Sequence, residues 1–571
     1  MVNRGASRGC FTCRKRRVKC DERKPWCRAC LRLGIECAGY AKPRLKFKDE
    51  TTRYRGNSPL TATRASKRKE QRVLENTIIQ LPPNYPQDLA VPFFLTYVTD
   101  VGRSLESTRG FLEFVRPVLA TQDHDSALNT AVTATAIKIW TMIGNHQTAS
   151  SLPYQSLNKA LKRLHKATED PEERGRDATV LAALVLQMHD TLSAVSGQAR
   201  AHGAHREGAM ALLLKRENRF KDSKYYAHLI SNLLHSRVSV CVRNRIALPP
   251  KELEWFETQV IPILPVNPSS LLDMIGVSLA SLQYVYSDLS TITWLPSEVQ
   301  KLQEKVNIIE AQLEIWLEGI PKSWYPRKMQ SGTDLDPSIP SYRGTCNIYP
   351  SIQIANIWNT WRIYCLIIED IKLQVVENAV LISSRSLSGW NTMPHNTIDS
   401  TWGSRKAQEL INSVCLSIPF YLGNCNRATD LLSTGKSDTI YPSYHDLSPT
   451  DESYLTFRAS DQYVSQLDHC RHVTLHGQVH AISILSNVIG LSARGGSWKQ
   501  SHLLQEEQKT WIATQFIRSL YSMRPILGDS LLGATQPSSQ NFPEAEATDM
   551  VSLAERLAVK AKQDLWTISI L

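Results

Sequence analysis

The sequence lacks an apolar run long enough to cross a lipid bilayer. A membrane-spanning helix needs roughly 18 apolar residues. The longest apolar-rich stretch, around residues 481–493, is shorter and is interrupted by Ser, Asn and Gly. The first nine residues also lack the apolar core of a secretory signal. We therefore expect a soluble intracellular protein whose thiols stay reduced.

Catalytic sequence motifs are missing as well. The patterns HExxH and GxGxxG do not occur, and GxSxG occurs only at residues 5–9, directly before the first cysteine. Residues 435–437, Gly-Lys-Ser, end like a phosphate-binding loop, but position 430 carries Asp where that loop requires Gly. Because no other spacing groups Ser, His and Asp into a catalytic arrangement, we predict that the protein is not an enzyme.

Acidic residues are scarce only near the N-terminus. Residues 1–72 hold 22 Lys and Arg against 6 Asp and Glu, whereas the rest of the 571-residue chain holds 44 basic and 48 acidic residues. A chain of this length exceeds one hydrophobic core, so two or more domains are expected. The charge distribution indicates that one small N-terminal region meets a polyanion.

Six of the 12 cysteines lie between residues 10 and 37, where the spacing C-x2-C-x6-C occurs twice without change. A structural zinc needs four ligands. Six thiols therefore serve either one zinc, with two left over, or two zincs that share two bridging thiols. The repeat makes equivalent cysteines the bridging pair, and Cys10 with Cys27 is one such pair. A disulfide framework would need an oxidising compartment, and the spacing matches neither common ferredoxin pattern.

This segment resembles the binuclear zinc cluster of fungal transcription factors, and residues 23–26, Arg-Lys-Pro-Trp, fit the loop between its halves. The resemblance implies that residues 1–40 are a small metal-stabilised domain with two short helices and two zinc ions. So short a segment buries too little apolar surface to fold alone, so zinc should supply its folding free energy. The implied ligands are Cys10, Cys13, Cys20 and Cys27 for one ion and Cys10, Cys27, Cys30 and Cys37 for the other.

A basic run lies between the second and third cysteines. Five of the six residues 14–19 are basic, whereas the equivalent residues 31–36 are mostly apolar. We therefore expect the first half of the cluster to face DNA and the second half to support it. The predicted DNA-binding residues are Arg14, Lys15, Arg16, Arg17 and Lys19.

A short helix starting near Cys13 would carry Arg16 and Arg17 at its far end. Guanidinium groups there can donate to guanine O6 and N7 in the major groove. The other basic residues would contact phosphates, which supply affinity but no sequence information. The resemblance implies that Arg16 and Arg17 read a CGG triplet. A nuclear-import signal or a solvated charged face is the alternative interpretation of the basic run.

Residues 41–85 are polar and basic and are predicted to be a flexible linker. Leu74, Ile78 and Leu81 have the spacing of a coiled-coil seam, but two prolines follow directly and end any helix. Three seam positions do not make a convincing coiled coil. The sequence leaves open whether a homodimer forms through the large domain or the protein binds DNA as a monomer.

Residues 86–571 are predicted to form a large all-α domain, because apolar residues recur at helical spacing and no stretch alternates as a strand does. The helical stripes are Leu157, Ala160, Leu161 and Leu164; Leu302, Val306, Ile309, Leu313 and Trp316; and Ala407, Leu410, Ile411 and Val414. Segments rich in Pro, Gly, Ser and Asp predict loops at 320–348, 383–403, 425–460 and 530–545, of which 425–460 is expected to be disordered.

Residues 202–213, His-Gly-Ala-His-Arg-Glu-Gly-Ala-Met-Ala-Leu-Leu, resemble one helix of the helical regulatory domain that often accompanies this zinc cluster. His202 and His205 have no third ligand nearby in the sequence, so ordinary core or surface histidines are favoured over a metal site. Helical bundles offer pockets for apolar small molecules. A small-molecule effector is therefore a further expected partner, although the sequence singles out no pocket.

Together these patterns predict a zinc-dependent, sequence-specific transcription factor of RNA polymerase II genes that acts on double-stranded DNA in the nucleus, away from membranes. The alternative is a zinc-dependent protein-interaction module whose basic run serves only nuclear import. A measurable sequence preference for DNA separates the two.

Overall fold

The chain separates into two compact units, Met1–Leu81 and Pro82–Leu571. The predicted linker, residues 41–85, with its short Leu74, Ile78 and Leu81 seam, lies outside the described residues. The computed structural model describes residues 9–23, 27–35, 37–39, 86–99, 107, 110–143, 152–195, 203–218, 221–289, 296–385, 400–425, 439–460, 462–492, 504–523 and 547–564.

The N-terminal unit contains the two short helices that the sequence predicts, α1 (Phe11–Lys15) and α2 (Arg28–Arg32). Each helix begins directly after a cysteine, Cys10 or Cys27, whose thiol accepts a hydrogen bond from the backbone N–H three residues later at 3.3 Å. A thiol thus takes the place of the usual Ser or Asp oxygen of a helix N-cap. Its cysteines, rather than large apolar side chains, form the buried centre of this unit.

The large unit is built from helices, as predicted, and its described apolar residues form one continuous core from Ala90 to Ala558. None of the described helices combines the length and apolar character needed to span a bilayer. The helices are α3 (Pro86–Phe93), α4 (Leu112–Leu119), α5 (Ala127–Ile143), α6 (Leu152–Glu169), α7 (Pro171–Arg174), α8 (Asp177–Val195), α9 (Ala204–Leu214), α10 (Tyr226–Asn244), α11 (Pro250–Trp255), α12 (Pro268–Leu289), α13 (Pro296–Glu318), α14 (Ile352–Arg385), α15 (Ser400–Leu422), α16 (Glu452–Ala459), α17 (Gln466–Ser492), α18 (Glu506–Ser522) and α19 (Ala547–Asp564).

Two of the three predicted apolar stripes are buried throughout, on α13 and α15. The stripe on α6 is buried only in part, because Leu161 remains 38% exposed. The buried face of α6 instead runs through Ala160, Leu164 and Ala167. These residues follow the i, i+4, i+7 spacing of a narrow contact face. The prediction was wrong at Leu161 because α6 covers the core with a narrower stripe than the sequence suggested.

A β-hairpin occupies part of the predicted loop 320–348. Strands β1 (Arg327–Gln330) and β2 (Thr345–Ile348) pair antiparallel, with Arg327 opposite Ile348 and Gln330 opposite Thr345. Met329, Cys346 and Ile348 are fully buried. The prediction missed these strands because four residues are too few to show a sustained alternating pattern.

The predicted loop 425–460 is also partly folded. Residues 426–438 lie outside the described residues, but 439–460 contain α16 and a capped single turn. The rings of Tyr444 and Phe457 stack 4.7 Å apart in the buried interior, so the expectation of disorder was wrong for this half. Aromatic side chains that are isolated in sequence made the segment resemble a loop.

The other two predicted loops fall mainly on residues that the structure does not describe. Helix α14 continues to Arg385 and α15 begins at Ser400, so the predicted loop 383–403 is shorter than expected at both ends. Residues 386–399 between these helices lie outside the described part of the chain, as do residues 530–545.

Candidate zinc centre and nucleic-acid interface

Six cysteine thiols converge between α1 and α2. Cys10, Cys13, Cys27 and Cys30 are fully buried, while Cys20 and Cys37 are half-buried. The Sγ atom of Cys27 lies 3.7 Å from that of Cys10 and 3.6 Å from that of Cys13. These separations far exceed the roughly 2.05 Å of a disulfide bond, and all six cysteines are free thiols.

The thiols form two sets of four that share two members. Within each set, every Sγ atom lies within 4.8 Å of the others. Cys10 and Cys27, the pair that the repeat singles out as equivalent, belong to both sets. The sets are Cys10, Cys13, Cys20 and Cys27, and Cys10, Cys27, Cys30 and Cys37.

The thiol geometry fits tetrahedral zinc. A Zn–S distance of about 2.3 Å places two sulfurs of one tetrahedron about 3.8 Å apart. The Cys10–Cys27 and Cys13–Cys27 Sγ distances agree with that value to within a few tenths of an ångström. Thiolates are also the soft donors that structural zinc sites use. The Sγ atoms of Cys13 and Cys30 lie 3.8 Å apart, so the whole cluster is compact.

The burial of the thiols creates a need for positive charge. Desolvation raises the pKa of Cys10, of Cys13 and of Cys30, the last to about 12. These cysteines therefore stay protonated until a cation compensates their thiolates, and metal binding must release their protons. Cys37 differs, because backbone hydrogen bonds from Cys27 and Gly39 lower its pKa.

The backbone repeats as the sequence does, with an offset of 17 residues. Arg17 and Gly34 occupy equivalent positions and both have left-handed backbone, with φ of 54° and 62°. Glu22 and Gly39 form a second such pair, with φ of 56° and 72°. The two halves thus follow the same backbone path. Only the second half has glycine, which adopts left-handed backbone without steric cost, at both of these positions.

Asp21 connects the first half of the cluster to the second. Its carboxylate accepts backbone hydrogen bonds from Arg28 at 3.1 Å and from Ala29 at 3.4 Å, at the start of α2. Desolvation acts to raise the pKa of Asp21, but backbone hydrogen bonds, those from Arg28 and Ala29 among them, lower it overall. Asp21 therefore holds α2 in place as an anion at its N-terminus.

The opposite connection runs from the second half back to α1. The Ala38 N–H donates to Thr12 Oγ1 at 2.9 Å, and the Phe11 N–H donates to the Gly39 carbonyl at 2.9 Å. Each half therefore supplies hydrogen-bond acceptors to backbone N–H groups at the start of the other half's helix. The first N–H groups of a helix have no partner within the helix and need one outside it. Sequence reasoning missed Thr12 and Asp21, because such contacts depend on the crossing of the two halves.

The five predicted DNA-binding residues are all exposed and lie on or directly after α1. The helix begins earlier than predicted, at Phe11, and ends at Lys15, so Arg16 lies at its far end and Arg17 lies one residue beyond it. Arg16 caps the helix and Arg17 follows with left-handed backbone. The Arg14 guanidinium lies 5.9 Å from the centre of the Phe11 ring.

The surface of the second half has a different character. Leu31, Leu33 and Ile35 are 58%, 56% and 37% exposed, at positions equivalent to Arg14, Arg16 and Val18. The two halves therefore share a backbone and a thiol framework but present opposite chemistry to solvent. Only the first half offers a concentrated positive charge to a polyanion.

The histidines considered as a second metal site do not form one within the described residues. His202 lies outside those residues, and His205 Nε2 lies 3.6 Å from Asp190 Oδ2. In the part of the chain that the structure describes, the groups able to hold a metal are the two cysteine sets.

Comparison with known proteins places the cysteine segment in a defined class. Residues 8–46 match the sequence model of the fungal Zn(2)-Cys(6) binuclear cluster domain. The description of that domain contains two metal ions and six cysteines, as the two overlapping thiol sets require. The predicted cofactor, two zinc ions, is thereby confirmed.

Several curated proteins are similar to the same segment. The chain is 55% identical over 40 residues to white-opaque regulator 2 of Candida albicans, covering 7% of this chain and 9% of that protein. It is 54% identical over 39 residues to the transcriptional regulatory protein moc3 of Schizosaccharomyces pombe, covering 7% and 8%. It is 62% identical over 37 residues to the aspercryptin biosynthesis cluster-specific transcription regulator atnN of Emericella nidulans, covering 6% of each.

These similarities cover about 40 residues of the chain. The matched segment spans less than a tenth of each of the three relatives, and no solved structure matches the chain.

Proposed function

This chain carries a fungal Zn(2)-Cys(6) binuclear cluster domain, and from that premise we propose that it is a sequence-specific DNA-binding transcription factor of RNA polymerase II genes. It reads CGG-type sites in the major groove through Arg16 and Arg17. The relatives that match the segment are transcription regulators, and DNA in the nucleus is the polyanion that the basic N-terminus meets.

The exposed basic run on a thiol-built scaffold carries this proposal. Cys13 is fully buried, whereas Arg14 to Arg17 are exposed in the four positions that follow it. Because Cys13 is anchored in the buried centre of the unit, the backbone of residues 14–17 is held in a fixed position relative to the cluster. Guanidinium groups held in this way can approach base edges at a defined distance, which a flexible basic segment cannot do.

The zinc ligands follow from the two thiol sets. Cys10, Cys13, Cys20 and Cys27 would hold one ion, and Cys10, Cys27, Cys30 and Cys37 would hold the other. The zinc ions act as structural charges that replace a hydrophobic core. We assign them no reaction, and we assign the chain no catalytic activity.

Arg14, Lys15 and Lys19 serve as phosphate contacts in this proposal. Arg14 is drawn toward the Phe11 ring, and the long side chains of Lys15 and Lys19 reach outward as point charges. Such contacts add affinity that falls with salt, without selecting a sequence. The large helical unit is the regulatory part of the chain, able to pair two chains or to bind an effector.

Selection of random duplex DNA tests the proposal. Full-length protein with zinc is expected to enrich CGG-containing duplexes, and chelation of zinc is expected to abolish the enrichment. The arrangement of the enriched triplets will show whether one or two copies of the cluster bind.

Two outcomes would contradict the proposal in different ways. Zinc-dependent binding with no preferred sequence would support a module whose basic run serves nuclear import or general DNA affinity. Enrichment that survives complete removal of zinc would show that the cluster is not the DNA-reading element.

A further inference from the structure

Helix α13 carries a second stripe of regularly spaced residues, on the side that faces solvent. Its buried stripe runs from Leu302 to Trp316. The outer stripe advances in alternate steps of three and four residues, which is the spacing along which two helices pack side by side. Every member of the outer stripe is exposed: Lys301, Glu304, Ile308, Ala311, Ile315 and Glu318.

The apolar residues lie in the middle of this outer stripe. Ile308 and Ile315 are 58% and 67% exposed, and they stand two helical turns apart with Ala311 between them. Single exposed apolar residues are ordinary on a protein surface. A row of them at helix-pairing spacing is instead typical of a contact surface.

The middle of the stripe is complementary in size to itself. When two copies pair antiparallel with Ile308 of one opposite Ala311 of the other, two-fold symmetry repeats the same contact with the roles exchanged. A large side chain then faces a small one in both central layers, which is how packed helices fill the space between them. In the next layer, Ile315 lies against the aliphatic part of the other copy's Glu304.

The ends of the stripe are complementary in charge. The same register brings Lys301 of one copy opposite Glu318 of the other, once at each end of the contact. Neither side chain has an ion-pair partner among the described residues, whereas Glu310, on the flank of the helix, binds Lys372 and Lys406. A parallel pair would set lysine against lysine and glutamate against glutamate, so charge favours the antiparallel arrangement.

We propose that the outer stripe of α13 binds the same stripe of a second copy of this chain, antiparallel and about a two-fold axis. A second copy fits better than an unrelated helix, because one rotation matches both size and charge. The contact involves few residues, so the dimer forms and dissociates with protein concentration. Pairing itself needs no DNA. Its consequence, two zinc clusters in one DNA-binding particle, rests on the proposed function.

Sedimentation equilibrium of the full-length, zinc-loaded protein without DNA tests the contact. The average mass is expected to rise from that of one chain toward that of two as the concentration increases over about 1–100 μM. Ile308→Lys puts a charge into the apolar middle of the stripe and is expected to weaken dimerisation at least tenfold. Leu455→Lys, at a 52% exposed position of α16, is the matched control and should leave dimerisation unchanged. Thermal unfolding of each variant shows that the fold is retained.

An exchange of the end charges tests the orientation. Lys301→Glu alone and Glu318→Lys alone each set like charges opposite one another at both ends, and each is expected to weaken the dimer about tenfold. The double variant restores opposite charges and is expected to dimerise within about threefold of the unmodified protein. Added salt should reduce the differences between these variants, because the charges are exposed.

The proposal is overturned if the protein remains a single chain over the whole concentration range, or if Ile308→Lys dimerises as the unmodified protein does. A double charge variant that dimerises no more tightly than the single variants overturns the antiparallel register. Because the measurement contains no DNA, its outcome stands apart from the DNA-selection experiment. Dimers without any DNA preference would leave this contact and remove the transcription-factor proposal.

Discussion

At the residue scale, Arg17 adopts a left-handed backbone conformation that glycine adopts more easily than arginine. A left-handed backbone costs a non-glycine L-residue roughly 1–2 kcal/mol. The equivalent position in the supporting half is Gly34. The first half therefore keeps an arginine where glycine would be more stable, and its guanidinium must provide something that glycine cannot.

Replacing Arg17 with Gly separates these two properties. The variant is expected to bind zinc at least as well as the unmodified protein, because the backbone cost is relieved. It is expected to lose roughly 1–3 kcal/mol of affinity for the selected DNA site, with relaxed sequence preference. Zinc content and DNA titrations measure the two effects, with Arg32→Ala, an exposed basic residue of the second half, as control. An equal loss for all sequences would show that Arg17 contacts only phosphate.

Cys10 and Cys27 belong to both thiol sets, so replacing either is expected to affect zinc binding more than replacing a cysteine of one set. In the proposed ligand assignment, Cys20→Ala and Cys37→Ala each remove one ligand of one ion, and each variant is expected to retain part of the bound zinc. Cys10→Ala and Cys27→Ala remove a ligand of both ions and are expected to lose both. Mass spectrometry under native conditions counts the zinc ions, and Cys241→Ala, a buried thiol of the large unit, is the control. Equal zinc loss in all four variants would argue against bridging.

At the element scale, close helix packing distinguishes glycines that the sequence presents alike. Gly477 and Gly490 both lie within α17. A Cβ on Gly477 would lie 2.2 Å from the backbone oxygen of Tyr421, at the end of α15, whereas a Cβ on Gly490 would meet nothing within 4 Å. Gly477 therefore allows α15 and α17 to approach, and Gly490 does not have this role.

Alanine at these two positions is expected to have opposite effects. Gly477→Ala forces the two helices apart and should lower the free energy of unfolding by roughly 1–3 kcal/mol, as overpacking does. Gly490→Ala should be neutral or stabilising by up to about 1 kcal/mol, through helix propensity. Urea unfolding of the full-length protein measures both. A Gly477→Ala variant as stable as the Gly490→Ala variant would contradict the predicted contact.

At the scale of the whole molecule, buried histidines make the large unit sensitive to acid. Burial lowers the pKa of His469 and of His476 to about 4. Unfolding exposes both to water, where the histidine pKa is about 6.5. The unfolded chain therefore binds more protons between these values, and stability present above pH 6.5 is lost as the pH falls toward 4.

A buried carboxyl works against this loss but does not outweigh it. Burial raises the pKa of Glu113 to about 8, so the folded chain gains stability from this group as the pH falls toward 4.5. Burial also lowers the pKa of a third histidine, His480, to about 3. One such carboxyl therefore opposes three histidines, each worth up to about 3 kcal/mol between pH 6.5 and pH 4.

We therefore expect the free energy of unfolding to fall by a few kcal/mol between pH 6.5 and pH 4, because the buried histidines outnumber the buried carboxyl by two. Chemical unfolding at a series of pH values measures it. His469→Gln should flatten the profile, while His165→Gln, at a position with 76% side-chain exposure, should not. A free energy of unfolding that is constant across this range would contradict the assignment.

The two units should respond differently to loss of metal. The N-terminal unit has thiols at its centre, whereas the large unit has a continuous apolar core. Chelation of zinc is therefore expected to abolish DNA binding and to leave most of the far-ultraviolet helical signal intact. A large loss of that signal on chelation would show that the large unit also depends on metal.

The sequence by itself determined the chemistry of the N-terminal unit and the class of the large one. Cysteine spacing is read directly from the chain, because each C-x2-C pair places two thiols on one short helical turn, and the repeat singles out Cys10 and Cys27 as equivalent. The long apolar stripe from Leu302 to Trp316 can also be read from the sequence. A helix of several turns places an apolar residue on its buried face every three or four positions.

Only the tertiary structure decided the features that depend on residues far apart in sequence. The crossing of the two halves sets the roles of Asp21 and Thr12, and packing of α6 against the core left Leu161 outside. The hairpin of β1 and β2 is too short to carry a pattern, and its stability comes from burial of Met329 and Cys346 within the large unit. A hollow lined by Leu164, Ala183, Gly208 and Leu212 is likewise invisible in the sequence, because residues of α6, α8 and α9 surround it together.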